Sequence, residues 1–211
     1  PDLLELSAEQ KAVIDYLPKN VIIAHRGTEF WAPEESEIAM RWARNMGADY
    51  IEIDLQRSAD KVLLALHDDN LIRTTNISVV YPNRKNDAAS FFTFDELLAL
   101  DIGSWFNEAN PAQARESFIG EQVLTMEDIL MVAEGKRYLR ERDLDPGLSD
   151  IEGIKRKMDM TDTDMTNYNT ANPGANAFRG LDGRTVYRND EFDNGNRPGV
   201  YIETKAPYLF G

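Results

Sequence analysis

Short apolar segments alternate with amphipathic helical patterns up to residue 134, and this alternation constrains the fold more than any other feature of the chain. Strands are predicted at residues 21–24, 50–55, 62–66 and, much later, 200–205. Helices are predicted at residues 35–46, 94–100 and 125–134. Strands that alternate with helices are typical of parallel βα units with both faces of the sheet covered. The sequence therefore predicts an α/β fold built from βα units.

The length of 211 residues suits one domain, so residues 1–211 are interpreted as a single domain. Ser7 and Gln10 have the spacing of a capping box, and Pro18 would stop a helix, which predicts a further helix over 7–17. Residues 135–198 are rich in charged residues, Asp, Thr, Asn and Gly, and show little apolar periodicity. We interpret the 135–198 segment as a surface insertion or irregular excursion.

The composition excludes several classes of function. The 37 acidic residues outnumber the 23 basic ones, giving a net charge of -14, which argues against nucleic acid or an anionic membrane as partner. Cysteine is absent, so thiol catalysis and thiolate metal sites are excluded. No apolar run is long enough for stable insertion into a membrane. The chain begins at Pro1 without an initiating Met, which indicates trimming and leaves the compartment undetermined.

Both histidines of the chain come directly after predicted strands. His25 follows the strand at 21–24, and His67 follows the strand at 62–66. A single histidine at a strand end usually has a structural role, but here both occupy the same kind of position. In a βα barrel the carboxyl ends of the strands converge on one mouth, where catalytic groups lie. Two imidazoles at one mouth suit a general acid and a general base near neutral pH.

Carboxylates follow the alternation of two predicted strands. Glu52 and Asp54 share one face of their strand, and Glu203 and Lys205 share one face of the last strand. Either pair alone would also suit a solvated edge strand. Together the three carboxylates, without Cys or His, favour a hard cation, Ca²⁺ or Mg²⁺. With Arg26 and Lys205 as the local positive groups, this set suits a phosphoryl group.

Several motifs occur in order along the chain. They are Ile23-Ala24-His25-Arg26-Gly27, Ala32-Pro33-Glu34, Gly47-Ala48-Asp49-Tyr50-Ile51-Glu52-Ile53-Asp54, His67-Asp68 with Arg73-Thr74-Thr75-Asn76, Gly120-Glu121 with Thr125-Met126-Glu127-Asp128, and Tyr201-Ile202-Glu203-Thr204-Lys205-Ala206-Pro207. In this order and at this spacing they resemble the glycerophosphodiester phosphodiesterase family, over about residues 21–207 except the 135–198 segment. Ordered motifs of this kind are specific, whereas any one alone would not be.

The resemblance implies a TIM (β/α) barrel phosphodiesterase that requires Ca²⁺ or Mg²⁺. Its small-molecule substrates would be glycerophosphodiesters, which it would hydrolyse to an alcohol and glycerol 3-phosphate. The positions that match the family's motifs are His25 and His67 for the acid/base pair, Glu52, Asp54 and Glu203 for the metal ligands, and Arg26 and Lys205 for phosphate binding. Glu34 matches an element expected to support the mouth. Ala206-Pro207 and the long insertion resemble exported members and favour a periplasmic location over a cytoplasmic one.

The sequence departs from the family pattern in two ways. Glu35-Ser36 stand where Asn-Thr is usual, and Lys61, Ile72 and Leu124 replace a common Gly, Asp and Pro. More seriously, the four predicted strands make only about the first half of an eight-stranded barrel. Such a half barrel has unpaired edges that favour association, so a homo-oligomer is one possible state.

Three alternatives remain open at this point. A phospholipase-type phosphodiesterase acting on lysolipid or sphingolipid would need an exposed apolar lip, for which Phe91-Phe92 and Trp105-Phe106 are candidates. An inactive metal- or phosphate-binding module would not need the two histidines. An acidic α/β protein with merely solvated carboxylates would have to explain every strand end at once.

Overall fold

The computed structural model describes residues 7–9, 11–12 and 19–205. The helix predicted over 7–17 and the motif residues Ala206-Pro207 therefore lie largely or wholly outside the described residues. The strands are β1 (Ile23–Ala24), β2 (Tyr50–Arg57), β3 (Leu63–Ala65), β4 (Lys136–Tyr138), β5 (Phe178–Arg179), β6 (Val186–Asn189) and β7 (Gly199–Thr204). The α-helices are α1 (Glu37–Asn45), α2 (Ile77–Val80), α3 (Phe94–Leu97), α4 (Ser104–Ala109), α5 (Met126–Ala133), α6 (Asp150–Ile154) and α7 (Asp162–Ala171).

The main sheet is centred on β2, which pairs with β1, β3 and β7. β1 and β7 run parallel to β2, as the alternation of strands and helices predicts. β7 lies beside β2 along six residues, from Tyr50 opposite Gly199 to Leu55 opposite Thr204. The strand that comes last in the sequence is therefore a direct neighbour of the second strand. The fold is α/β, and the described strands do not close into a barrel.

The prediction that every strand is parallel is wrong for β3, which runs antiparallel to β2. The connection covers only residues 58–62, whereas a parallel crossover needs about a dozen residues or more. It is a tight turn in which the Ser58 backbone N–H donates to the Val62 carbonyl at 2.9 Å. Lys61, which replaces a common glycine, adopts the left-handed conformation with φ of 70°. The length of the connection was a readable signal for this hairpin.

The two faces of β2 differ as the alternation predicts. Ile51, Ile53 and Leu55 enter the main apolar cluster, where side chains of α1 and α5 cover them. The opposite face carries Glu52 and Asp54, which are also buried. β2 is therefore a central strand rather than a solvated edge, and it holds two carboxylates away from bulk water.

The 135–198 segment contains more regular structure than its composition indicates. β4, β6 and β5 form a three-stranded antiparallel sheet, and α6 and α7 lie in the same segment. Buried ion pairs join this segment to the βα part: Asp190 pairs with Arg41 and Arg44, Arg140 with Glu37 and Glu121, and Arg156 with Asp128. Because these contacts are between residues distant in sequence, local periodicity does not reveal them.

In the part of the chain that the structure describes, no helix combines the length and apolar character that crossing a bilayer requires.

Candidate active site

The pairing of β2 with β7 brings three predicted carboxylates together. Asp54 lies opposite Glu203 in the parallel pair, and Glu52 precedes Asp54 by two residues on the same face. One ligand oxygen from each of the three residues lies within 4.8 Å of the others. Glu52 and Asp54 are buried, whereas Glu203 is exposed. The cluster is thus open to ligands on the side of β7.

The oxygens of this cluster suit a hard divalent cation. Oε1 of Glu52 and both carboxylate oxygens of Asp54 are buried and have no hydrogen-bond partner. Burying carboxylate oxygens without hydrogen bonds is costly, and a bound cation would lower this cost. All donors are carboxylate oxygens, which Ca²⁺ and Mg²⁺ prefer. The donor set therefore fits the cation that the sequence predicts.

Two basic side chains compensate the charge of the cluster. Arg26 Nε lies 3.0 Å from Asp54 Oδ2, and Lys205 Nζ lies 3.1 Å from Asp54 Oδ1, without the geometry of hydrogen bonds. Lys205 also contacts Glu203, which raises the pKa of Lys205 and lowers the pKa of Glu203. The two positively charged groups predicted to bind phosphate therefore lie directly against the carboxylates.

The loop between β1 and α1 positions Arg26. The backbone N–H of Arg26 donates to Glu52 Oε2 at 2.9 Å, while its φ is 47°. Gly27 follows with φ of 83°, and a Cβ at this position would lie 2.8 Å from the backbone carbon of Ala39. Only glycine fits so close to α1 in this conformation. The side chain of Ser36 accepts from the Ala39 N–H and caps α1, so serine performs here the capping that threonine also can.

His25 lies at the end of β1, beside the cluster. Its Nε2 atom is 3.9 Å from Glu52 Oε2, and its Nδ1 atom is 2.7 Å from Glu29 Oε1. More than half of the His25 side chain is exposed, at 55%. The ring is therefore accessible to a ligand that occupies the cluster.

His67 reaches the same region by a different route from the one predicted. β3 runs back along β2, and the N–H of Leu66 donates to the Asp54 carbonyl at 2.9 Å. The residue after Leu66 is thus brought beside the cluster, although its strand is antiparallel. The proximity of His67 adds to the effect of Lys205 in lowering the pKa of Glu203. Nδ1 of His67 lies 2.6 Å from Oδ1 of Asp68.

A chain of polar side chains connects Arg26 to Asp68, the neighbour of His67. Of its members, the sequence predicts a supporting role only for Glu34. Arg73 donates to Asp68 at 2.6 Å and to Glu34 at 2.6 Å, and Glu34 also accepts from Arg26 at 3.1 Å. The Arg73 guanidinium lowers the pKa of Asp68 to about 2. It also holds the pKa of Glu34 below its ordinary value, against the opposing effect of burial. In the sequence, the signal for these contacts was that Asp68 directly follows His67 and that Glu34 directly follows Pro33.

Glu35 is a further residue whose contribution sequence analysis did not identify. It is 2% exposed, and its Oε1 accepts from the Asp54 N–H at 2.8 Å. Burial, together with the neighbouring carboxylates of Asp54 and Glu52, holds the pKa of Glu35 well above its ordinary value. Its φ of 57° also explains why asparagine suits this position, because asparagine tolerates the left-handed conformation. The only sequence signal was the departure from that asparagine.

Comparison with known proteins identifies the family. The profile of the glycerophosphoryl diester phosphodiesterase family matches residues 25–192. The chain belongs to this family. The matched span includes His25, Arg26, Glu52, Asp54 and His67, and ends before the residues of β7.

Individual relatives cover part of the chain. It is 35% identical over 125 residues to a glycerophosphodiester phosphodiesterase of Bacillus subtilis, an alignment covering 59% of this chain and 40% of the relative. It is 39% identical over 97 residues to a glycerophosphoinositol inositolphosphodiesterase of Homo sapiens, an alignment covering 46% of this chain and 18% of the relative. A crystal structure of glycerophosphodiester phosphodiesterase from Agrobacterium tumefaciens has 33% sequence identity and a TM-score of 0.45. The match covers 56% of this chain and 44% of that chain. The chain thus spans less than half the length of these relatives.

Proposed function

We propose that the protein hydrolyses glycerophosphodiesters to an alcohol and glycerol 3-phosphate with a divalent cation, Ca²⁺ or Mg²⁺. The observation that carries the proposal is the cluster of Glu52, Asp54 and Glu203, which has buried oxygens without hydrogen-bond partners. Arg26, Lys205 and His25 lie against this cluster, and His67 follows the residue whose N–H donates to the Asp54 carbonyl. Family membership and the activity of the Bacillus subtilis relative support the same reaction.

In this proposal, Glu52, Asp54 and Glu203 would hold a cation, which would supply positive charge to the phosphoryl oxygens as they gain negative charge. Arg26 and Lys205 bind the remaining non-bridging oxygens of the phosphodiester. For these two basic side chains the phosphodiester competes with the Asp54 carboxylate. These interactions place the phosphorus atom between the histidines.

The two imidazoles supply the proton transfers. One imidazole removes a proton from the nucleophile, which is water or the neighbouring glycerol hydroxyl. The nucleophile's oxygen forms a bond to phosphorus, and the bond from phosphorus to the alcohol oxygen breaks. The other imidazole donates its proton to that departing oxygen. If the glycerol hydroxyl attacks first, water then opens the resulting cyclic phosphate.

The test is a turnover assay with a panel of glycerophosphodiesters in Ca²⁺, in Mg²⁺ and after exhaustive EDTA treatment. The human relative acts on glycerophosphoinositol, so that substrate is included and both possible phosphate products are quantified. We expect turnover only with a cation. His25→Ala and His67→Ala should each reduce the rate by about 10²- to 10⁴-fold. Glu108→Ala, an exposed substitution outside the site, is the matched control.

Full activity after EDTA treatment would exclude the metal-dependent reaction. Full activity of His25→Ala would exclude its assignment to the acid/base pair. Calorimetric binding of Ca²⁺ without turnover of any substrate would instead favour a metal-binding module.

Apolar exposed residues beside His25 favour a second candidate, cleavage of lysolipids. Of the candidates for an apolar lip, Phe92 and Phe106 are buried in the core, whereas Phe91 is exposed and Trp105 is half-buried. Phe30 and Trp31 are exposed, and both line a cavity of about 280 Å³ that also includes His25. Turnover of lysophosphatidylcholine that exceeds that of glycerophosphocholine, and that falls in Trp31→Ala, would support this candidate.

A further inference from the structure

The contact between Glu29 and His25 has a counterpart at the other histidine. Nδ1 of His25 lies 2.7 Å from a Glu29 oxygen, and Nδ1 of His67 lies 2.6 Å from an Asp68 oxygen. Both histidines of the protein therefore present the same ring nitrogen to a carboxylate. This leaves Nε2 as the atom that each ring can direct elsewhere.

The chemistry of the imidazole determines what this contact does. A neutral imidazole has one nitrogen that donates a proton and one that accepts. An ionised carboxylate only accepts, so a hydrogen bond to Glu29 requires the proton of neutral His25 to lie on Nδ1. The lone pair then lies on Nε2, which is the ring nitrogen 3.9 Å from Glu52. The contact thus favours one tautomer and one ring orientation.

The loop around Glu29 is held by its own hydrogen bonds. The N–H groups of Trp31 and Ala32 donate to the Thr28 carbonyl at 2.7 and 3.0 Å, which forms a helical turn. The Thr28 hydroxyl donates to the Ala39 carbonyl at 3.3 Å and connects this turn to α1. Because the turn is held in this way, Glu29 lies at a defined position relative to His25.

We propose that Glu29 is a positioning residue for His25, which fixes the Nδ1–H tautomer and directs Nε2 toward the carboxylate cluster. The inference rests on the proposed function for its catalytic consequence. The side chains of His25 and Glu29 are 55% and 41% exposed, and an ion pair this exposed contributes little to folding. The effect of Glu29 is therefore on the ring and on turnover, not on stability.

The experiment compares the unaltered protein with Glu29→Ala, Glu29→Gln and the control Glu108→Ala. Nitrogen-15 NMR of the imidazole rings is recorded at successively higher pH until the spectrum no longer changes, so that neutral rings are compared. The chain has only two histidines, and Asp68→Asn identifies the signals of His67 by perturbing them. Melting temperature, kcat and KM are measured on the same samples.

We expect His25 to be protonated on Nδ1 in the unaltered protein and to become a mixture of tautomers in Glu29→Ala. The kcat of Glu29→Ala should fall by about 10- to 100-fold, as for carboxylates that orient metal-bound histidines, with KM and melting temperature little changed. Glu29→Gln should keep most of the Nδ1–H tautomer and most of kcat, because its amide oxygen still accepts from Nδ1.

The proposal is overturned if His25 carries its proton on Nε2 in the unaltered protein. It is also overturned if Glu29→Ala leaves the tautomer or kcat of an active enzyme unchanged. If the tautomer changes as expected but the unaltered protein turns over no phosphodiester, the proposed function fails, whereas the contact itself is established.

Discussion

Asp54 and Glu203 lie opposite each other in the β2–β7 pair, although the whole 135–198 segment separates them in sequence. Their carboxylates meet on one face of the sheet together with Glu52. The position of β7 therefore decides whether a cation site exists. Contacts that hold β7 beside β2 are as important to the site as the ligands themselves.

Binding of a cation to this cluster should stabilise the native protein. A ligand that binds only the native state at 100 times its Kd adds about 2.7 kcal/mol, which is about 5–10 °C in melting temperature for a chain this size. We expect such a rise with Ca²⁺ or Mg²⁺, measured by thermal unfolding. EDTA should reverse it.

Glu203→Gln should abolish most of the rise in melting temperature that a cation causes, whereas Glu108→Gln should keep it. Glu203 is exposed, so its substitution should not prevent folding. An equal rise in both variants would show that the cation binds elsewhere.

Asp68 should contribute to stability in a pH-dependent way. Its pKa is about 2 in the native protein because of Arg73, against an ordinary value of 3.8. A lowered pKa stabilises the native state above pH 3.8, and this stabilisation is lost as the pH falls toward 2. Asp68→Asn should thus cost on the order of 1 kcal/mol at neutral pH, since solvent screens the pair.

Denaturant unfolding of Asp68→Asn over a pH series checks this expectation, with Glu108→Gln as an exposed control. The difference from the unaltered protein should shrink as the pH falls toward 2. A difference that is constant with pH would contradict the assigned pKa.

Glu35→Gln should stabilise the cation-free protein at neutral pH. The native pKa of Glu35 is raised, so its neutral form is favoured below the ordinary value of 4.5 and that stabilisation is lost as the pH rises. Glutamine stays neutral and its oxygen still accepts from the Asp54 N–H. Each kcal/mol gained should raise the melting temperature by about 2–4 °C.

Melting curves recorded in EDTA at neutral pH and below pH 4.5 test this expectation. The gain should be present at neutral pH and absent in acid. A less stable Glu35→Gln variant at neutral pH would show that the ionised carboxylate is required.

Arg140→Met should destabilise the protein strongly. Arg140 is buried between Glu37 and Glu121, and its removal leaves both carboxylates without that partner. Removing one partner of a buried ion pair costs about 3–5 kcal/mol. Urea unfolding should show this loss, while Lys85→Met at an exposed position should change stability by less than about 0.5 kcal/mol. A small loss for Arg140→Met would mean that the carboxylates find other partners.

Local sequence patterns were sufficient for some features of the site. Alternation along β2 placed Glu52 and Asp54 on one face of the strand and Ile51 and Ile53 on the other, because side chains of a strand alternate regardless of its partners. The five-residue connection before β3 also contained the signal for an antiparallel hairpin, which the prediction did not use. The roles of the seven proposed site residues stay predictions.

Sequence alone determined the βα character of the chain, the two faces of β2 and the residue types from which a cation site can be built, since these depend on short-range periodicity. Only the tertiary structure decided that β7 lies beside β2, that Arg73 joins Asp68 to Glu34, and that Arg140 lies between Glu37 and Glu121. Such pairings depend on how distant segments pack and on how buried charges are compensated. A periodic pattern within one segment carries no information about either.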